Sequence, residues 1–134
     1  MAVEFALVLV LFLTLVFAVI QYGYYFFQLQ GASAGTREGA RLASLGVNNC
    51  TTLANSVQAA AAGVKVTNVK IEFTPGGTAT QGADATATVT YAPTTFGFPF
   101  VPFITGSPTQ KAVSRVESLG SVTSGSPYAC NVNL

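Results

Sequence analysis

EFALVLVLFLTLVFAVIQYGYYFF, residues 4–27, opens on a carboxylate, and the chain then carries no formal charge from Phe5 to Thr36. At 1.5 Å per residue, about 20 residues match a bilayer core of about 30 Å, so the stretch reads as a membrane-spanning helix. Its closing aromatic patch, Tyr22, Tyr24, Tyr25, Phe26 and Phe27, falls where an interface belt lies. A cleavable secretory signal would need a basic n-region, a shorter apolar core and a small-residue cleavage site. Here an acid stands in place of the base, and no such site closes the run. A charge beside a membrane-length apolar run costs at least ~2.5 kcal/mol to bury, which makes Glu4 a functional candidate in need of a partner.

Helical character extends past the apolar stretch, through Gln28 and Leu29 to Leu42 and Ala43, with no proline before Gly46, a C-terminal stop. Arg37 and Arg41 share a face, and Glu38 can pair with Arg41 three residues on. The small-residue run Gly31 to Gly35 either weakens the helix or lets another helix approach closely. The expectation is one helix of about 40 residues, about 60 Å long, occupying residues 1–46. That is too long for a small domain to cover, so lipid or other subunits must cover much of it.

The whole chain has 134 residues, and residues 47–134 suffice for one small head domain. Charged residues make up 8% of the chain against a typical ~25%, and so neutral a surface suits packing against copies of itself. A net charge of +1 without a basic run removes the electrostatic footprint of a nucleic-acid binder. Cys50 and Cys130, both in polar, turn-rich stretches, are expected to be joined. An exported head favours oxidation, and a loop of about 80 residues contributes roughly 4 kcal/mol in the chain-entropy account.

Within the head, Thr51 to Ala62 predicts a short Ala-rich helix capped by Thr51 or Thr52 and stopped by Gly63. Lys65 to Thr74 alternates as a strand with Val69, Ile71 and Phe73 on its apolar face and Val66 on the other. Pro75-Gly76-Gly77 turns the chain. Ala85 to Tyr91, alternating Ala/Val/Tyr with Thr, is a second strand that pairs antiparallel with the first. The apolar loop 96–104 follows, containing Phe98 and Phe100. It is either a lid over the sheet or a contact patch for a neighbour or a membrane surface. Gln110 to Leu119 predicts a third strand, with Ala112 and Val116 on one side and Val113 opposite; Ser118 to Leu134 shows no period.

Catalytic machinery is scarce. Without His, and with one Asp and four Glu, neither a Ser-His-acid triad, nor a His metal site, nor a Cys-His pair can be assembled. Glu72 and Glu117 lie beside Lys or Arg in strand patterns and read as a solvated or ion-paired face. Gly76-Gly77 lacks the setting of a phosphate loop, and Asn49-Cys50-Thr51 is only a weak glycosylation triplet. No enzymatic activity, cofactor or metal is expected.

Ala2-Val3-Glu4-Phe5-Ala6-Leu7, the segment Thr36-Arg37-Glu38-Gly39-Ala40-Arg41, and the pair Val89-Thr90-Tyr91 and Val113-Ser114-Arg115-Val116-Glu117 together resemble TadE-like pilins and pseudopilins of tight-adherence (Tad) type IV filament systems. The resemblance implies an α+β, pilin-like fold: a long N-terminal helix, then a small antiparallel head with one short helix. It also implies a precursor whose basic leader a prepilin peptidase removes, leaving Met1 as the mature first residue. The subunit would rest in the bacterial inner membrane until pilus assembly machinery polymerises it with copies of itself into an extracellular filament. Glu4 stands fourth, where such filaments usually place their acid fifth: either the mature chain starts one residue earlier, or this branch tolerates a shift. A carboxylate in an apolar bundle needs a cation, the nearest being its own α-amino group or a neighbour's, and pairing would pin the register. Phe5, Phe12, Tyr22, Tyr24, Tyr25, Phe98 and Phe100 are the expected subunit contacts. The runner-up role is a minor pseudopilin or a single-pass anchored accessory protein of a pilus or secretion machine.

Overall fold

The computed structural model describes residues 2–47, 49–77, 79–97, 106–117 and 130–134. Helix α1 runs without interruption from Ala2 to Ser44, 43 residues. Its end is a Schellman motif: Gly46 takes φ 75°, its N–H donates to the Ala43 carbonyl, and the Val47 N–H donates to that of Leu42. A left-handed residue is needed there, and glycine adopts that conformation without a Cβ clash.

Helix α2 (Cys50–Ala60) precedes four strands, β1 (Lys65–Thr74), β2 (Asp84–Ala92), β3 (Thr109–Arg115) and β4 (Cys130–Asn133). They form one antiparallel sheet in the order β3-β2-β1-β4. Both helices lie on one face, α1 over β2 and β3 and α2 beside α1 toward β4 and β1. The result is the expected α+β, pilin-like arrangement, with Leu53, Val57 and Ala61 packed into one core with Ala32, Ala40, Ile71, Val89 and Tyr91.

Four details differ from the sequence expectation. Helix α2 begins at Cys50 and its cap is Asn49, whose Oδ1 accepts from the Thr52 N–H at 3.1 Å; Thr51 and Thr52 lie inside the first turn. On β1, a register shift between Val66 and Asn68 inserts one residue and inverts the parity, so Val66 is buried with Val69, Ile71 and Phe73. The third strand stops at Arg115, and Val116 just beyond it is buried. The aperiodic tail ends in a strand, with Cys130 opposite Ile71 and Val132 opposite Val69. Four residues are too few to show a period, and β4 is held by partners: β1 on one side and the Cys50–Cys130 disulfide at its start, Cα atoms 5.6 Å apart. Of the apolar loop only Phe96 and Gly97 fall among the described residues; Phe98 and Phe100 lie outside them, as does Met1.

Two glutamines hold the helices to the sheet by acting as surrogate backbone. Buried Gln28 on α1 donates to the Thr94 carbonyl at 2.9 Å and accepts from the Thr94 N–H at 2.8 Å. Gln58 on α2 does the same at the start of β1, donating to the Val64 carbonyl at 2.8 Å and accepting from the Val66 N–H at 2.9 Å. Each amide satisfies a donor and an acceptor that would otherwise cost about 1–3 kcal/mol apiece when left unpaired in a buried site.

Candidate assembly surface

The two halves of α1 face different surroundings. From Val3 to Leu13 every residue is exposed, Val3 at 75% and Leu7 at 71%. The head buries none of the most apolar 18-residue window, which is long and apolar enough to cross a membrane by length and composition. Thr14, the one polar side chain in the run, satisfies its hydroxyl by donating to the Leu11 carbonyl at 2.8 Å. Phe5 and Phe12, at 67% and 59% exposed, project from this bare section.

Glu4 occupies the first turn of α1. There its charge complements the partial positive end of the helix, a gain of about 0.3–1 kcal/mol at an exposed terminus. The ion pairs among the described residues are Arg41 with Glu38, at 2.7 Å, and Lys70 with Glu72, at 2.8 Å, so no cation reaches Glu4 within its own chain there. The expected Glu38–Arg41 pair is bidentate: Arg41 Nε also donates to Oε2 at 2.9 Å. Arg37, one turn below, enters neither of these pairs.

The aromatic patch is where bare helix meets head. Tyr24 packs on Phe96 with ring centroids 5.1 Å apart, tilted by 57°. Tyr25 bears on the buried Tyr91 hydroxyl, which burial first and Tyr25 second push up to about 12. Phe27 lies against the end of α2, its ring 3.3 Å from where a Cβ on Gly63 would stand. Tyr22 and Phe26 remain exposed. Head contacts therefore occupy part of what reads in sequence as an interface belt.

Above the patch, the small residues of α1 seat α2. A Cβ on Gly35 would lie 2.8 Å from the Val57 carbonyl oxygen and 2.9 Å from the Ala61 Cβ. One on Gly31 would meet Ala62 and Val64 at 3.0 Å, and one on Gly39 the Val57 side chain at 2.9 Å. Glycines four apart thus form a groove on α1, and the helix that approaches closely is the chain's own α2. Exposed surface is left beside β3, where Leu29, Gln30, Ser33, Ala34, Arg37 and Gln110 line an open groove of about 340 Å³. Sequence marked Arg37 as sharing a face with Arg41 and as part of the Thr36–Arg41 segment, not as lining a groove; its neighbour Gln110 comes from a distant strand.

The opposite face of the sheet is polar. Glu72, Thr86 and Lys111 border an open cavity of about 380 Å³ there, and hydrogen bonding to Lys70 holds the Glu72 carboxyl below its ordinary range. No group of three or more potential metal-ligating side chains occurs among the described residues.

Comparison with known families finds a match over residues 1–41 to the TadE family, described as TadE-like protein. Neither the curated proteins nor the solved structures contain a match to the chain. The matched segment takes in Glu4, the bare apolar half, the aromatic patch, the glycine groove and Arg37, nearly the whole of α1. Over its N-terminal residues 1–41, this chain is similar to the TadE-like protein family.

Proposed function

We propose that the chain is a structural subunit of an extracellular, Tad-type type IV-like pilus. The observation that carries this reading is the bare apolar half of α1, whose most apolar 18 residues form continuous helix with none buried by the head. Lipid covers it while the subunit waits in the bacterial inner membrane; after export, the same surface is covered by equivalent helices in a bundle. Residues 1–46 serve as the membrane and filament-core unit and residues 47–134 as the head displayed outside. The disulfide that ties α2 to the C-terminal strand suits an oxidising exterior. Prepilin peptidase and the Tad assembly machinery are the partners implied by the TadE-like segment, and Met1 to Phe5 form the processing and assembly end. Glu4 finds its cation on a neighbouring subunit, which sets the axial register.

Glu4→Ala tests this directly. The variant should reach the membrane at the wild-type level and be lost from sheared surface filaments, read by quantitative immunoblot of both fractions. Wild-type amounts of the variant in sheared filaments would overturn the role given to Glu4. Recovery of the unsubstituted subunit from the membrane fraction alone would replace the polymer role with that of a minor pseudopilin or anchored accessory protein.

A further inference from the structure

We propose that the cation met by Glu4 is Arg37 of a second copy, and that the groove between α1 and β3 receives the first turn of that copy's α1. This rests on the assembly reading above and names the contact. Within one chain the two residues are 33 positions apart on a single unbroken helix, about 50 Å at 1.5 Å per residue, so they cannot meet. Between copies they are complementary. Arg37 is exposed, lines the groove, and enters no ion pair among the described residues, whereas Arg41 is held by Glu38 through two bonds. Of the head's four cations, Lys70 is paired with Glu72, Lys111 borders the polar far side of the sheet, and Lys65 and Arg115 do not line this groove.

The rest of the groove also suits a helix start. Ser33 and Ala34 are small enough for a second backbone to come close, and Leu29 offers an apolar surface to the residues flanking Glu4. A helix N-terminus brings up to four N–H donors with no partner inside the helix. Gln30, Ser33 and Gln110 supply side-chain oxygens able to accept from them. With Glu4 opposite Arg37, parallel copies are offset by about 33 residues, or about 50 Å along the helix. The bare apolar half of the second copy then continues beyond the head of the first.

The test combines a charge swap with a cross-link. Glu4→Arg and Arg37→Glu should each lower the subunit recovered in sheared filaments at least about tenfold relative to its membrane level, since close charge pairs across interfaces couple by more than a factor of ten. The double swap should recover most of that loss. In parallel, a photo-cross-linking residue at Ala34 of the otherwise unaltered chain should capture the Ala2–Phe5 peptide of another copy. Wild-type incorporation of Arg37→Glu, a double swap no better than the single variants, or capture of lipid or other peptides alone would overturn the pairing. Capture of Ala2–Phe5 between copies extracted from the membrane, without any subunit in filaments, would leave the pairing standing and remove the polymer reading.

Discussion

The lower and upper halves of α1 are one helix with two kinds of surface. From Val3 to Ile20 it is almost uniformly apolar and the head buries none of it, while from Gln28 to Ser44 it alternates exposed polar residues with Ala32, Thr36, Ala40 and Ala43 packed on α2 and the sheet. The upper half gains stability from burial within its own chain. The lower half has no such gain, so its composition answers to what surrounds the protein rather than to the fold.

Substituting one apolar residue in the packed core and one on the bare half should break the comparison most visibly. Leu53→Ala, at a fully buried site of α2 in the core that the upper half of α1 shares, should destabilise the head by about 2–5 kcal/mol. Phe12→Ala, at an exposed site, should leave the thermal midpoint of the head unchanged in detergent. A fall of similar size in both would mean that the apolar half contributes to the fold of the head.

The glycines sharpen the same contrast. A Cβ on Gly23 would have nothing within 4 Å, whereas one on Gly35 would meet the Val57 backbone at 2.8 Å. Gly35→Val should therefore push α2 away and cost about 1–3 kcal/mol, measurable by denaturant unfolding. Gly23→Ala should be neutral or add up to about 1 kcal/mol of helix stability.

The smallest effect lies at the junction. The Tyr91 hydroxyl rises from an ordinary 10.0 to about 12 in the folded head. A folded-state value above the unfolded one contributes stability that is complete below pH 10 and is lost as pH rises toward 12. The stability difference between the native chain and Tyr91→Phe should be constant below pH 10 and shrink between pH 10 and 12. A flat difference across that interval would mean that the hydroxyl is not held out of water beside Tyr25.

Much of this architecture was legible in the chain. The 4–27 run, the alternation of Ala85 to Tyr91 and the Gly46 stop each rest on a local rule, and each appears where that rule puts it. The inversion at Val66 was not legible, because one inserted residue changes which side chains face inward without changing the residues themselves. Nor was β4, since Cys-Asn-Val-Asn becomes a strand only when β1 and Cys50 are placed beside it. The glycines of α1 announced a close approach without saying whose helix would make it. On the candidate assembly surface, Glu4 stood out at once in the sequence as a charge in need of a partner. Arg37 did not, because its distinction is comparative: Arg41 is occupied and Gln110 lies alongside.

By itself, then, the sequence determined the long helix, its bare apolar half and the isolated carboxylate, because composition and helical period act within a few residues. Tertiary structure alone decided that α2 fills the glycine groove, that the tail completes the sheet, and that an open groove lined by Arg37 remains beside β3. Those outcomes depend on which surfaces are already taken when distant segments meet, and no local pattern records that.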